Sequence, residues 1–339
     1  MSKKTKILLL VAAALVLAGS ILFVSVMTTL GWDFTKLATV KYETNVHEMS
    51  DTFQKIALHT DTADIVFALS EDGKCRVECH EAEKAKHSVT VKDGTLTVER
   101  SDERTLHNFI GISFGLPKIT VYLPGEAYAS LFIEEDTGDV EIPKNFQFEN
   151  VDITADTGDV RFYAPTSGAL KIQTSTGDIR VENISVGALD LTATTGDITL
   201  TSVTSQGDVA IDVSTGGVNL SGVSCKNLIS EGSTGDILLK NVIVEEKLFI
   251  ERDTGDVTLD NSFASEIVVL TDTGDVKLNR CDAKAINIET DTGDVSGHLL
   301  SGKIFVAESD TGKVKVPMPS GDNICKITTD TGDITFTVE

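Results

Sequence analysis

Residues 253–276 read DTGDVTLDNSFASEIVVLTDTGDV, so the tetrapeptide Asp-Thr-Gly-Asp is followed by valine and returns after 19 residues. The Thr-Gly pair occurs eleven times in the chain, at intervals of 19 or 20 residues. Its glycines are Gly138, Gly158, Gly177, Gly196, Gly216, Gly235, Gly255, Gly274, Gly293, Gly312 and Gly332. A fixed repeat of this length is typical of proteins in which one small structural unit stacks on the next.

Apolar residues alternate with polar ones on both sides of each repeat glycine. The position two residues after the glycine holds valine or isoleucine in all eleven copies. Alternation with a period of two and β-branched residues predicts one strand before the glycine and one after it. The residues between the strands form a corner, where glycine supplies a positive φ and the neighbouring Asp, Ser or Thr bonds local amides.

A β-meander and a β-solenoid both fit this pattern. A meander would leave the apolar face of one long sheet bare, because no amphipathic helix follows Leu30 to cover it. A solenoid closes that face against itself and stacks identical residues into columns. We therefore predict an all-β, single-domain β-solenoid, similar to a parallel β-helix, with eleven Thr-Gly-Asp coils of 19–20 residues over residues 129–339.

Residues 7–30 contain no charged side chain and are long enough for one transmembrane helix, which needs about 20 residues. Three lysines lie in residues 1–6, so the positive-inside rule predicts a cytoplasmic tail there and an extracellular chain after residue 30. The protein is therefore expected to be a single-pass cell-membrane protein. A cleaved signal peptide is the alternative. We expect residues 31–52 to be a spacer.

Residues 53–128 are predicted to form an irregular β section that caps the solenoid. Within it, residues 59–65 repeat the corner pattern with Ala63 in place of glycine. At the other end no capping segment follows Gly332. We expect the last coil, ending at Glu339, to be an edge coil with unpaired backbone groups through which a second molecule could associate.

The five cysteines are not expected to form a disulfide framework, because their number is odd and their spacing is not metal-like. We expect the cysteines to be buried and to act as small hydrophobic residues instead. They are Cys75, Cys79, Cys225, Cys281 and Cys325.

The formal net charge is −23, which argues against nucleic acid as a partner and favours cations or basic molecules. Stacked coils would place aspartates in two acidic columns. Like charges in neighbouring coils would lie about 5 Å apart, at a cost of about 1 kcal/mol for each exposed pair. A divalent cation would offset this cost, so calcium is the candidate cofactor. The candidate metal ligands are Asp253, Asp256, Asp272, Asp275, Asp291 and Asp294. The alternative is that these aspartates cap turns and keep the corner soluble.

Two enzymatic interpretations of the sequence exist, and neither is favoured. Residues 136–138 read Asp-Thr-Gly and resemble the aspartic protease signature, but the tripeptide recurs at successive corners and no pair of carboxylates is singled out. A β-helix enzyme acting on polysaccharides would need a local departure shared by adjacent coils. The basic breaks at Arg252, Arg280, His298 and Lys313 do not form one, so we predict no catalytic residues.

Residues 50–339 also carry a family resemblance. Its elements are residues 89–98 around Asp93-Gly94, residues 118–124 and every coil. On these elements the chain resembles the bacterial putative-adhesin β-strand-repeat family, a family of unknown function that includes LiaG-like envelope proteins. The resemblance implies a β-solenoid at the envelope of a Gram-positive bacterium, often associated with envelope-stress systems. We expect a non-catalytic surface protein whose partner is another surface protein, a wall polymer or a cation.

Overall fold

The computed structural model describes residues 2–101 and 115–339, and these residues form a nearly all-β chain. Helix α1 spans Lys3–Thr29, and a short 3-10 helix follows at Phe34–Leu37. The first strands are β1 (Tyr42–Met49), β2 (Lys55–Thr60), β3 (Asp64–Leu69), β4 (Cys75–Ala82), β5 (His87–Lys92), β6 (Thr95–Arg100), β7 (Lys118–Leu123), β8 (Ala127–Thr137) and β9 (Val140–Ile142).

The remaining strands carry the repeats. They are β10 (Gln147–Thr157), β11 (Val160–Phe162), β12 (Thr166–Thr176), β13 (Ile179–Thr195), β14 (Ile198–Ser205), β15 (Val209–Thr215), β16 (Val218–Ser221), β17 (Ser224–Cys225), β18 (Leu228–Thr234), β19 (Ile237–Lys240), β20 (Ile243–Val244), β21 (Lys247–Thr254), β22 (Val257–Asp260), β23 (Glu266–Thr273), β24 (Val276–Cys281), β25 (Ala285–Thr292), β26 (Val295–Leu299), β27 (Ile304–Ser309), β28 (Val314–Lys315), β29 (Ile324–Thr331) and β30 (Ile334–Val338).

The repeat strands stack in parallel, each on the equivalent strand of the neighbouring coil. Strand β21 pairs with β18 on one side and with β23 on the other, in register at every apolar position. Strands after the corner do the same, since β22 lies between β19 and β24. The predicted β-solenoid fold is confirmed, and parallel stacking explains why each sequence column keeps one residue type.

Each middle coil also turns at a second corner, six residues after its repeat glycine. The corner residue adopts a left-handed φ between 51° and 65°, which asparagine and glycine tolerate best. These residues are Asn183, Ser202, Gly222, Asn241, Asn261 and Arg280. A short third side with β17 and β20 follows and completes the coil.

The interior is one continuous apolar cluster along the solenoid, from Ile56 to Phe336. It contains the alternate residues of the strands on both sides of the repeat glycine. All five cysteines are buried and free, so the expectation that they are buried is confirmed.

The start of the solenoid is widened by strands outside the repeat. Strands β2 and β3 form a coil around Ala63 that stacks in parallel on β8 and β9. Antiparallel strands extend this end, with β5 on β6 and with β4 on β7. Residues 31–52 were expected to be a spacer, but they contain strand β1, which pairs with β4 along eight residues.

The last two coils are exchanged relative to their order in the sequence. Strand β29 lies between β25 and β27, and β30 lies between β26 and β28. The coil that ends at Glu339 is therefore paired on both sides, which corrects our prediction that it forms the edge. Within the described residues, the outermost coil is the one that contains β27 and β28.

Packing explains this exchange. Gly297 interrupts an apolar column, and a Cβ atom there would lie 2.2 Å from the ring of Phe336. The ring therefore occupies the space that Gly297 leaves, and Phe336 is only 2% exposed. The connection to the outer coil is held by buried Lys303, whose Nζ contacts the Asp282 carboxylate and donates to the Ala283 carbonyl at 2.8 Å.

Candidate functional site

The Thr-Gly-Asp corners stack into one edge of the solenoid, which we call the acidic edge. Gly216 shows why glycine is needed there. Its φ is +149°, and a Cβ atom would lie 2.0 Å from the carbonyl oxygen of Gly196 in the preceding coil. Its amide donates to the Thr234 carbonyl of the following coil at 2.8 Å. Backbones approach so closely at this edge that a side chain on the corner residue is excluded.

In most coils an aspartate follows the corner residue and bonds the neighbouring coil. One carboxylate oxygen accepts the backbone N–H of the equivalent residue in the next coil, at 2.7 to 3.1 Å. The accepting residues are Asp64, Asp139, Asp159, Asp178, Asp197, Asp236, Asp256, Asp275, Asp294 and Asp333. Gly217 interrupts the ladder because it has no carboxylate.

The energies of this ladder favour its assembly without a cation. A hydrogen bond to a charged acceptor stabilises by about 1.5–3 kcal/mol. Repulsion between exposed carboxylates about 5 Å apart costs about 1 kcal/mol in water. Where a basic residue is present it reduces this cost further: Arg161 bonds Asp139 at 3.0 Å and Asp159 at 2.7 Å. The aspartates that follow the corner residues, which we call the inner aspartates, therefore have a structural role in addition to any binding role.

The six predicted metal ligands are all exposed, but they do not form one group. Asp256, Asp275 and Asp294 line a single groove of about 390 Å³ together with Asp333 and Lys277. Asp253, Asp272 and Asp291 precede the threonines and lie outside the lining of that groove. Over residues 2–101 and 115–339, the six aspartates include no set of three whose oxygens lie within 4.8 Å of one another.

Glu135 is a buried carboxylate that sequence reasoning missed. It is 1% exposed, and its Oε1 accepts the backbone N–H of Ala63 at 3.1 Å and that of Thr137 at 3.2 Å. Burial raises the pKa of Glu135 to about 8, and the charges of Asp136 and Asp64 act in the same direction. This side chain joins the Ala63 coil to the first Thr-Gly-Asp coil. The signal in the sequence was a charged residue three positions before the repeat glycine, where the residues of the remaining coils face inward.

Arg252 is a buried cation in the same inward column. Its side chain crosses the coil of Gly232, where a Cβ atom would lie 1.7 Å from Nη1, and Nη1 donates to the Val213 carbonyl at 3.0 Å. Burial lowers the pKa of Arg252, while Asp212 and Asp253 oppose that shift. The sequence marked Arg252 as a break in the pattern, but only the structure pairs it with the glycine one coil earlier.

Comparison with known proteins identifies the family. The model of the family described as Toastrack DUF4097 matches residues 53–222 and 207–339. A crystal structure of a putative adhesin from Bacteroides fragilis aligns with 88% of this chain and 97% of its own, with 17% identity and a TM-score of 0.35. A putative adhesin from Parabacteroides distasonis aligns with 88% and 98%, with 11% identity and a TM-score of 0.45.

A further crystal structure, a putative lipid binding protein from Parabacteroides distasonis, covers 88% of this chain and 98% of its own, with 14% identity and a TM-score of 0.37. No curated protein matches the sequence significantly.

Proposed function

This chain belongs to the Toastrack DUF4097 family, and we propose that it is a non-catalytic scaffold at the cell surface that presents repeated acidic corners to its partners. The uniform coils carry this proposal. A groove of about 610 Å³ near the start of the solenoid has Glu149 as its single charged lining residue, so this groove lacks the paired acid and base that hydrolysis needs. A stiff rod with repeated surfaces suits binding more than catalysis.

We propose that α1 anchors this scaffold in the cell membrane. Within the described residues, α1 is the helix long and apolar enough to cross a bilayer, although a signal sequence has the same properties. Lys3, Lys4 and Lys6 favour a cytoplasmic N-terminus and an extracellular solenoid.

Protease treatment of intact cells tests the orientation. We expect the solenoid to be digested from outside while a cytoplasmic control protein survives. Intact mass of the protein purified from membranes distinguishes a retained anchor from a cleaved signal sequence. Recovery of a chain that lacks residues 1–30, or protection of the solenoid until the cells are lysed, would refute the anchored extracellular arrangement.

A partner is proposed to be a surface protein or a wall polymer. The full chain in detergent micelles, immobilised and incubated with solubilised envelope proteins or with purified wall polymer, should retain one of the two above the level of an unrelated acidic membrane protein. Equal retention by this protein and by the unrelated acidic membrane protein would contradict a specific scaffold role.

A second copy of the chain is proposed to associate through the outer coil. Strand β27 pairs on one side only among the described residues and exposes Ile304 and Val306, which are 41% and 56% exposed. Two such edges can pair in antiparallel orientation. Sedimentation of the full chain in micelles should show a dimer that Val306→Lys abolishes. The matched change Ile229→Lys, at a residue 40% exposed on a coil paired on both sides, should leave it intact.

Calcium binding along the acidic edge is a second candidate function, favoured by the groove that four inner aspartates line. Calorimetry at millimolar calcium should detect binding that Asp275→Asn weakens, since the amide keeps the oxygen acceptor but removes the charge. Asp190→Asn, at an exposed aspartate away from the corners, is the control. Absence of heat in the unchanged protein would end the calcium proposal.

A further inference from the structure

A cluster of three side chains with different donor atoms lies in the widened start of the solenoid. Cys79 and Glu81 occupy alternate positions on β4, whose burial alternates strictly, and they are 0% and 2% exposed. His87 opens β5, and its side chain is 7% exposed. The thiol sulfur, one carboxylate oxygen and one ring nitrogen all lie within 4.8 Å of one another.

Hydrogen bonds hold this cluster in place. Glu81 Oε2 accepts the backbone N–H of His87 at 2.7 Å and lies 2.7 Å from its Nδ1. Glu81 Oε1 accepts from the Asn45 amide of β1 at 2.8 Å. The carboxylate is thus fixed by donors from two strands, and it orients the imidazole beside Cys79.

The donor set selects the kind of ion. One sulfur, one nitrogen and one carboxylate oxygen suit Zn²⁺, which binds such mixed sets in tetrahedral geometry, whereas calcium and magnesium prefer oxygen alone. Without a cation, burial raises the pKa of the Cys79 thiol to about 12, and the charge of Glu81 acts in the same direction. A dication bound to one thiolate and one carboxylate would leave the buried site without net charge, which lowers the cost of burial.

A further histidine and an entry path lie near the cluster. His47 on β1 faces Val77, while Asn45 faces Cys79, so His47 is the diagonal neighbour of Cys79 on the same face of the sheet, about 7 Å away. Its Nε2 is buried and has no hydrogen-bond partner among the described residues. A cavity of about 220 Å³, lined by Glu81, His87 and Tyr42 among others, lies beside the cluster and offers access.

We propose that Cys79, Glu81 and His87 form a binding site for Zn²⁺ or a similar transition-metal dication. Binding forms a metal–sulfur bond and releases the thiol proton to solvent, while His87 contributes a ring nitrogen and Glu81 an oxygen. The metal would link β4 to β5 and so stabilise the widened end of the solenoid.

The test uses the full chain in detergent micelles with a non-thiol reductant, stripped of metal by a chelator. The protein is then given Zn²⁺ with millimolar calcium present to occupy weak acidic sites, desalted and analysed for metal by mass spectrometry. We expect about one Zn²⁺ per chain, as for a single structural site. Cys79→Ala, His87→Gln and the matched control Cys225→Ala, another buried free cysteine, are treated in parallel.

The two site variants should lose the bound Zn²⁺, and Cys225→Ala should keep it. With Co²⁺ in place of Zn²⁺, the unchanged protein should show a near-ultraviolet sulfur-to-cobalt band that Cys79→Ala abolishes. Circular dichroism checks folding, and if Cys79→Ala does not fold, His87→Gln decides. Failure of the unchanged protein to retain metal, or equal retention by folded Cys79→Ala or His87→Gln, would overturn the proposal without affecting the scaffold role.

Discussion

The close approach of backbones at the acidic edge makes Gly216 a position where a single methyl group should disrupt stacking. In Gly216→Ala the new Cβ would lie 2.0 Å from the Gly196 carbonyl oxygen and 2.6 Å from its carbon. Real Cβ atoms do not approach backbone this closely, so the coils must separate locally. The residue must also keep a φ of +149°, which L side chains rarely adopt.

The expected cost follows from these two effects. Backbone strain contributes about 1–3 kcal/mol. Separation weakens the bond from Gly216 N to the Thr234 carbonyl, at 2.8 Å, and the bond from Gly196 N to the Thr215 carbonyl, at 3.0 Å. Each is worth about 1 kcal/mol. We therefore expect Gly216→Ala to lower the free energy of unfolding by about 3–5 kcal/mol.

Gly222 provides a control in the same coil. Its φ is +65°, but the nearest atom to an added Cβ is 3.8 Å away, which is ordinary contact. Gly222→Ala should cost about 1–2 kcal/mol from strain alone. Gly222→Asn should cost less than about 1 kcal/mol, since asparagine tolerates this φ and occupies the equivalent corner at Asn183, Asn241 and Asn261.

Urea unfolding of the full chain in micelles, followed by far-ultraviolet circular dichroism, measures these differences. Limited proteolysis shows whether cleavage begins near residue 216, because coils in a solenoid can open locally. Equal unfolding midpoints for Gly216→Ala and Gly222→Ala would refute the conclusion that close backbone approach, rather than φ alone, selects glycine at this edge.

Three further changes test the buried and laddered charges. The pKa of Glu135 is raised from 4.5 to about 8 in the folded chain. The stability that Glu135 contributes is therefore present below about pH 4.5, and a few kcal/mol of it is lost as the pH rises to about 8. Glu135→Gln should flatten the dependence of the melting temperature on pH between about pH 5 and 9, and parallel profiles of the two proteins would contradict this. Arg252→Met removes an incompletely paired buried charge and should leave thermal stability unchanged or raise it by about 1–4 kcal/mol; a clear loss would show that the bond to the Val213 carbonyl dominates. Asp256→Asn keeps the acceptor for Asp275 N and should leave the free energy of unfolding unchanged. Asp256→Ala removes the acceptor and should lower the free energy of unfolding by about 1.5–3 kcal/mol in the same thermal unfolding experiments. Equal effects of the two variants would exclude the ladder as a source of stability.

The repeat pattern was sufficient to predict the solenoid because its physical causes are local. Alternation of apolar residues requires strands, and glycine at a fixed position requires a corner with an unusual φ. The second corner leaves a weaker signal in the sequence. Asparagine or glycine occupies it in four of six coils, but Ser202 and Arg280 depart from this column, and the Thr-Gly-Asp signal is stronger.

The candidate sites were less predictable. The inner aspartates were recognised as one column, but their bonds to the next coil depend on coil spacing. Cys79, Glu81 and His87 carry no recognisable metal motif in the sequence, because Cys79 and Glu81 lie on one strand while His87 reaches them from the next. Their convergence depends on how two strands at the widened end are joined.

The sequence alone determined the all-β repeat, the inward columns and the positions where only glycine can turn the chain, since each depends on residues close together in one coil. Tertiary structure decided which coils are neighbours. A coil presents compatible columns to any other coil, so periodicity cannot order the last two; the contact of Phe336 with Gly297 does so, and it places the coil ending at Glu339 inside. The same limit applies to Arg252 and Gly232, whose fit is visible only when one coil lies on the next.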